Sequence, residues 1–280
     1  MQRSAAPQDH EPVEAAPLLL VIGASGGIGN ASVVVAQSDG VNVLGVDRVS
    51  KPHGKNPPRR SIQADLATDQ GRAVVMRGLP RVPRMVIYAA GSPAEFGTKV
   101  CIQDNFVAPA LFLGGLIPMM GRDSSVTVVG SLTKKVPRVA DSELQSLLHE
   151  PDLGKVLAFV ERDKLSDRAT YALSKFLITS WALRASSRHM KDGVRVNVVS
   201  PAVTRSPAVS AYERSVSAAA VQKGRKILGK DLDPIDVAEA IAFLSYGRGS
   251  SWINGMDLTL DGGLLNYLRC QGRKSDEVHR

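Results

Sequence analysis

A tyrosine and a lysine stand four residues apart in Tyr171-Ala172-Leu173-Ser174-Lys175. On a helix this spacing puts a phenol and an ammonium on one face. A free phenol titrates at about 10 and exchanges protons poorly at neutral pH. An ammonium one turn away favours the phenolate and draws that value down. A tyrosine tuned in this way serves as general base towards an alcohol or general acid towards a carbonyl. Taken alone, the pair is equally a contact on a surface helix. Its meaning depends on what the fold brings beside it.

A second chemical feature lies near the start of the chain. Ile22-Gly23-Ala24-Ser25-Gly26-Gly27-Ile28-Gly29 follows a short apolar run and opens a helical stretch. Glycine permits the tight strand-to-helix turn, and the helix start offers backbone N–H groups and partial positive charge to a pyrophosphate. The position of the turn, strand before and helix after, points to dinucleotide binding through Gly23, Ser25, Gly27, Ile28 and Gly29. Asp47 follows Gly29 by 18 residues, at the end of the next apolar run. A carboxylate there accepts hydrogen bonds from a ribose diol and repels a 2′-phosphate, which favours NAD over NADP. Arg48, Lys51, Lys55, Arg59 and Arg60 leave the opposite choice open, or form only a solvated basic loop.

The elements that must position these groups alternate. Strands are expected at 17–22, 41–46, 61–64, 85–89, 125–129, 194–199 and 256–260. Helices are expected at 28–38, 105–119, 170–189 and 236–246. Such alternation implies βαβ units and one α/β domain: a Rossmann-type, doubly wound parallel sheet with helices on both faces. The domain is expected over 17–268, after a disordered extension (1–16) and before a mobile tail (269–280). Lys134–Arg168 interrupts the pattern. Leucines at 144, 147 and 148, and apolar residues at 153, 156, 157 and 160, recur at helical spacing on either side of Pro151, so an inserted helical hairpin is expected.

Composition narrows the setting. The chain has 280 residues, 44% hydrophobic and 5% aromatic, with a net charge of +8. That suffices for one large core. The positive excess is scattered and not interleaved with aromatics, so no nucleic-acid partner is expected. The apolar windows 18–22 and 111–120 are too short to span a bilayer, so no membrane association is expected either. Two cysteines and scattered histidines give neither a disulfide framework nor metal-ligand spacing. A cytoplasmic setting without a metal follows as the expectation.

With these residues in place, positions 17 to about 268 resemble the short-chain dehydrogenase/reductase family. The family's glycine turn matches Ile22–Gly29 with isoleucine in place of threonine, and its acidic residue matches Asp47. Its adenine-framing aspartate matches Asp65, followed by Leu66. Its helix asparagine matches Asn105, and its catalytic serine matches Ser131 in Val128-Val129-Gly130-Ser131. Tyr171 and Lys175 match the active-site helix, and Asn197, Pro201 and Asp261-Gly262-Gly263 fall in register. The resemblance implies an oxidoreductase that interconverts a secondary alcohol and a ketone with NAD(H). Tyr171 would transfer the proton. Lys175 would lower the Tyr171 pKa and hold the nicotinamide ribose. Ser131 would bond the substrate oxygen, and Asn105 would help hold a water linking Lys175 to solvent. Ala90, Gly91, Pro201, Val203, Thr204 and Ser206 would complete the cofactor site. Residues 204–232 correspond to the family's substrate loop; Tyr212 and Ala218–Val221 would line an apolar pocket there, or form a plain surface helix.

Three departures stand out. The family's Asn-Asn-Ala-Gly appears as Tyr88-Ala89-Ala90-Gly91, its Pro-Gly as Pro201-Ala202, and Ser206 takes the place of a threonine. Ser131 and Tyr171 are 40 residues apart (171 − 131), through the inserted hairpin. This layout is similar to the bacterial 3α-hydroxysteroid dehydrogenase/carbonyl reductase subgroup. The family also implies a homodimer or homotetramer acting on a small-molecule alcohol or ketone. NADP(H)-dependent carbonyl reduction, non-redox chemistry in the same site, and a cofactor-sensing regulator are the alternatives.

Overall fold

A computed structural model describes residues 16–49, 57–134, 140–206, 209–216 and 218–277. The expected extension 1–16 lies outside these residues except for Ala16, and so do Lys51 and Lys55 of the basic loop.

The fold begins with strand β1 (Leu18–Ile22), helix α1 (Gly27–Ser38) and strands β2 (Asn42–Asp47) and β3 (Arg60–Gln63). Helix α2 (Asp69–Gly78) leads to β4 (Met85–Tyr88). Helix α3 (Thr98–Ile102) then passes through a π-helical segment, Gln103–Val107, into α4 (Ala108–Leu116), and β5 (Ser124–Val129) follows. The hairpin is α5 (Asp141–His149) and α6 (Leu153–Arg162), with Pro151 between them. After it come α7 (Asp167–Arg188), β6 (Val194–Pro201), α8 (Val209–Val216) and α9 (Ala218–Leu228). The chain ends with α10 (Pro234–Tyr246), β7 (Asp257–Leu260) and α11 (Leu264–Glu277).

The strands form one parallel sheet in the order β3-β2-β1-β4-β5-β6-β7. This is the expected doubly wound, Rossmann-like architecture. Both faces are buried, so β1 is apolar without alternation. Leu18, Leu20 and Ile22 join a core with α4, α6 and α7, whereas Leu19 and Val21 face α1 and α10. The chain reverses its winding between β1 and β4. Open α/β sheets bind ligands at the carboxyl ends of the strands at such a switch point.

Local chemistry sets the helix starts. Thr68, Asp152 and Ser166 cap α2, α6 and α7 by accepting from the amides of Gly71, Lys155 and Ala169 at 3.0, 2.7 and 3.4 Å. Asp233 does the same for α10, with Pro234 in the first turn, where its missing N–H costs nothing.

The structure departs from the sequence expectation in three places. Helix α2 was not anticipated, because its composition is polar and Gly71 interrupts it. The cap Thr68 followed by Asp69 was the available signal. The segment expected as a tail from 269 is helical as far as Glu277. Leu264, Leu265 and Leu268 lie on one side of that helix and face the cavity described below, which gives a polar sequence an apolar anchor. The helix expected at 105–119 starts earlier. The whole run Thr98–Met119 is 22 residues, long and apolar enough to cross a membrane, although the window 111–120 is short. It is a core helix here, with 67% of its apolar window buried inside the fold. Within 204–232, α8 and α9 are helices, as one of the two readings of that segment has it.

The hairpin packs on its own domain. Leu147, Leu148, Val156, Phe159 and Val160 are buried in the main core, with α6 against α3 and α5 against α7.

Candidate active site

The strand ends are aligned by register. Ile22 pairs with Val46 on one side and Tyr88 on the other, and Val129 pairs with Val199. The residues just after these positions line a cavity of about 850 Å³.

At the end of β1 the glycine turn needs its glycines. Gly23 has φ +81°, and a side chain there would meet the Ala90 backbone nitrogen at 2.6 Å. A Cβ on Gly29 would meet the carbonyl oxygen of Gly23 at 2.0 Å, so Gly29 closes the turn and does not line the cavity. No side chain caps α1, whose N-terminus, with Gly27 and Ile28, opens on the cavity. A glycine cradle and an uncapped helix start together suit a pyrophosphate. Ser206 packs across the turn, its Cβ lying 2.9 Å from where a Gly27 side chain would begin.

At the end of β2, Asp47 accepts from the Ser25 amide at 2.9 Å through Oδ2 and from the Val49 amide at 3.2 Å through Oδ1. The carboxylate is thus fixed beside the turn. Arg48 points elsewhere, donating to Asp104 Oδ2 at 3.0 Å and to Ser92 Oγ at 3.4 Å. After β3, Asp65 holds its own loop by accepting from the Ala67 amide at 2.9 Å, and buried Leu66 lines the cavity beside it.

At the end of β4, Tyr88 stands where the family has asparagine. Its phenol is pushed well above its ordinary value, first by burial and then by the Asp104 carboxylate. The retained Ala90-Gly91 half is required sterically. A Cβ on Gly91 would lie 2.6 Å from Asn105 Oδ1 and 3.5 Å from Lys175 Nζ.

Asn105 is buried within the π-helical segment, behind the cavity wall. Its Oδ1 accepts from the Ser92 amide at 2.9 Å. Its Nδ2 donates to the Ser92 carbonyl at 2.9 Å, Ser174 Oγ at 3.1 Å and Cys101 Sγ at 3.3 Å. Ser174 Oγ in turn donates to the Tyr171 carbonyl at 2.8 Å. The asparagine side chain therefore ties the loop after β4 to the helix of Tyr171 and Lys175, a link that spacing alone did not suggest.

Tyr171 and Lys175 are both buried on α7, and both line the cavity. Tyr171 packs against Ala94 and Cys101. Lys175 Nζ donates to the Val129 carbonyl at 3.3 Å. Burial pulls the Lys175 ammonium down to about 8, with the Cys101 thiol a smaller influence in the opposite direction. Ser131, just beyond β5, lines the same cavity and accepts from the Thr133 amide at 3.1 Å.

Pro201, Val203, Thr204 and Ser206 form the opposite wall. The loop is pinned by the Ala202 amide on the Leu260 carbonyl at 2.8 Å and by the Leu232 amide on the Val203 carbonyl at 2.9 Å. The methyl of Ala202 is accommodated there. The remaining wall has an apolar part, Phe96, Val221, Leu228, Leu264, Leu265 and Leu268, and a charged part, Glu213, Arg214, Arg225, Lys230 and Asp231. Of the apolar residues, only Val221 was anticipated. The spacing of Leu264, Leu265 and Leu268 after Gly262-Gly263 was the signal for the others. The Tyr212 side chain lies outside what is described. Arg214 of α8 pairs with Glu95 across the mouth, its Nη2 donating to Oε1 at 2.9 Å.

Comparison with known proteins agrees with this fold. A family model described as enoyl-(acyl carrier protein) reductase matches residues 156–265. Coniferyl-alcohol dehydrogenase of Pseudomonas sp. (strain HR199 / DSM 7063) is 24% identical over 259 residues, covering 89% of this chain and 96% of that protein. The 3-alpha-hydroxysteroid dehydrogenase/carbonyl reductase of Comamonas testosteroni is 22% identical over 266 residues, covering 90% and 98%. The 3-alpha-hydroxysteroid dehydrogenase from Pseudomonas sp. B-0831, solved in complex with NADH, superposes with a TM-score of 0.75 at 27% identity, covering 90% of this chain and 98% of that one. With the parallel sheet and the cavity that holds the turn, serine, tyrosine and lysine, the chain is similar over about nine-tenths of its length to short-chain dehydrogenases/reductases.

Proposed function

We propose that the protein interconverts a secondary alcohol and a ketone with NAD(H), with Tyr171 as the acid/base. The observation that carries this is the meeting, in one cavity, of buried Tyr171 and Lys175 with Ser131 and with the glycine turn beside Asp47. The residues fit a dinucleotide. The uncapped start of α1 and the glycine turn would take the pyrophosphate, and Asp47 the adenosine ribose diol. Asp65 and Leu66 would frame the adenine. Pro201, Val203, Thr204 and Ser206 would seat the nicotinamide end.

When bound, the nicotinamide cofactor supplies or accepts the hydride. The protein's own residues handle the proton and the charge. The Ser131 hydroxyl donates to the substrate oxygen and stabilises negative charge that develops there. The Tyr171 phenol gives its proton to that oxygen in reduction and takes it back in oxidation. The Lys175 ammonium, one helical turn away, favours the phenolate that reduction leaves behind. The apolar wall of Phe96, Val221, Leu228 and the α11 leucines excludes water and selects a substrate with an apolar body. The NADH complex of the related 3-alpha-hydroxysteroid dehydrogenase supports the cofactor assignment, and the names of the alcohol-oxidising relatives support the reaction class. The test follows the absorbance of reduced nicotinamide with a panel of bulky apolar alcohols and ketones. Turnover with members of the panel is expected with NAD(H). Absence of any cofactor-dependent turnover, with cofactor binding intact, would overturn the reading.

A further inference from the structure

We infer that Asp104 is a cofactor-specificity residue. It holds the Arg48 guanidinium away from the ribose 2′ position beside Asp47, so the cation nearest that acid is withheld from a 2′-phosphate. This rests on the reading of the cavity as a dinucleotide site.

The argument starts at the end of β2. The strand ends at Asp47, and Arg48 opens the bend that follows it. Asp47 turns to the glycine turn, where the amides of Ser25 and Val49 hold both of its oxygens. Arg48 turns the other way. Its carbonyl accepts from Gln63 Nε2 at 3.2 Å, which fixes its backbone to the adjacent strand. Its Nη1 then reaches Asp104 at 3.0 Å, across 56 residues of sequence, and its Nη2 reaches Ser92 Oγ at 3.4 Å.

Asp104 is a firm anchor. Its side chain is 14% exposed, against 49% for Arg48. Ser92 Oγ donates to it at 2.5 Å, and it sits in the π-helical segment directly before buried Asn105. A half-exposed ion pair stabilises a fold only slightly. Its effect here is competitive. For Arg48 to meet a 2′-phosphate it would have to leave a largely buried carboxylate without its cation, beside the buried phenol of Tyr88.

The described cations at β3 are too far along, and Arg72 is held by the Leu66 carbonyl at 2.7 Å and by Asp69. Arg60 pairs with Leu44 in the sheet, three residues before Asp47, and Arg59 precedes it. At ~3.3 Å per residue this places Arg60 about 10 Å from the strand end. Discrimination against a 2′-phosphate is thus shared between one acid that repels it and a second that removes the cation next to it among the described residues.

The experiment measures dissociation constants for NADH and NADPH by protein fluorescence, with wild type, D104N, D104N/R48A and S92A. Wild type should bind NADH more tightly. D104N should tighten NADPH about tenfold while NADH changes little, and S92A should move the ratio the same way by less. Adding R48A to D104N should cancel the gain. An unchanged NADPH-to-NADH ratio in D104N and S92A would overturn the inference. So would a gain that survives R48A, or a wild-type preference for NADPH that R48A removes. If D104N does not fold, S92A alone decides by the direction of its ratio. If wild type binds neither cofactor, the dinucleotide reading itself has failed, which is a separate result.

Discussion

Lys175 donates its buried Nζ to the carbonyl of Val129, 3.3 Å away, and so joins the helix of Tyr171 to the strand end that leads into Ser131. The bond spans 46 residues and lies across the hairpin insertion. It fixes three reacting groups to one frame. Burial without a carboxylate holds the ammonium at about 8, so it remains mostly charged at neutral pH at a cost to the fold.

That cost gives a prediction with a definite sign. Unfolded, the lysine titrates at 10.5; folded, at about 8. Between these values the unfolded chain binds more protons, so wild-type stability rises with pH through that window. The gap corresponds to ~3 kcal/mol at neutral pH. Lys175→Met should therefore leave the cofactor-free protein at least as stable as wild type at pH 7, with its relative advantage shrinking by pH 10. Urea unfolding at the two pH values measures this. An advantage that grows with pH would contradict the assigned cause. Turnover should be lost in the same variant.

Tyr171→Phe should lower kcat by about a hundredfold or more while cofactor affinity changes little, since only the proton-transferring hydroxyl is removed. Stopped-flow turnover and a fluorescence titration with NADH together check it. Substantial residual turnover would show that another group carries the proton.

Asp47→Ser should erode the proposed preference for NADH by removing a like charge from the 2′ position. It should not reverse the preference, because Arg48 remains on Asp104. The quantity to compare is kcat/KM for NADH and NADPH before and after the change. A full reversal from this one substitution would mean that Arg48 leaves Asp104 readily.

Phe159→Ala should cost about 3–5 kcal/mol of stability. Phe159 is buried in the main core, and the Arg162 guanidinium stacks over its ring at 5.0 Å. Thermal unfolding is the measurement. A loss below about 1 kcal/mol would make α6 a loosely attached elaboration instead of part of the core.

What depends on neighbours along the chain is legible in the residues themselves. The glycine turn, the acid closing β2, the tyrosine and lysine one turn apart, and the hairpin broken at Pro151 are all local patterns. Strand and helix periodicities express them within a few residues. Helix α2 and the helical tail escaped because their local signals are polar, and their stability comes from caps and from leucines facing a cavity that no window of sequence contains. The long-range partner that each charge meets depends on how the sheet is wound. Arg48, read along the chain, is a free cation beside Asp47. The sheet order carries it instead to Asp104, while the register of β3 leaves Arg60 short of the strand end. The same order brings Ser92, Asn105 and Ser174 into one buried network and sets the α11 leucines opposite Tyr171. Spacing conveys a side chain's direction within its own element. Its partner across the sheet depends on how the whole chain is wound, because hydrogen bonds and ion pairs act over only a few ångströms.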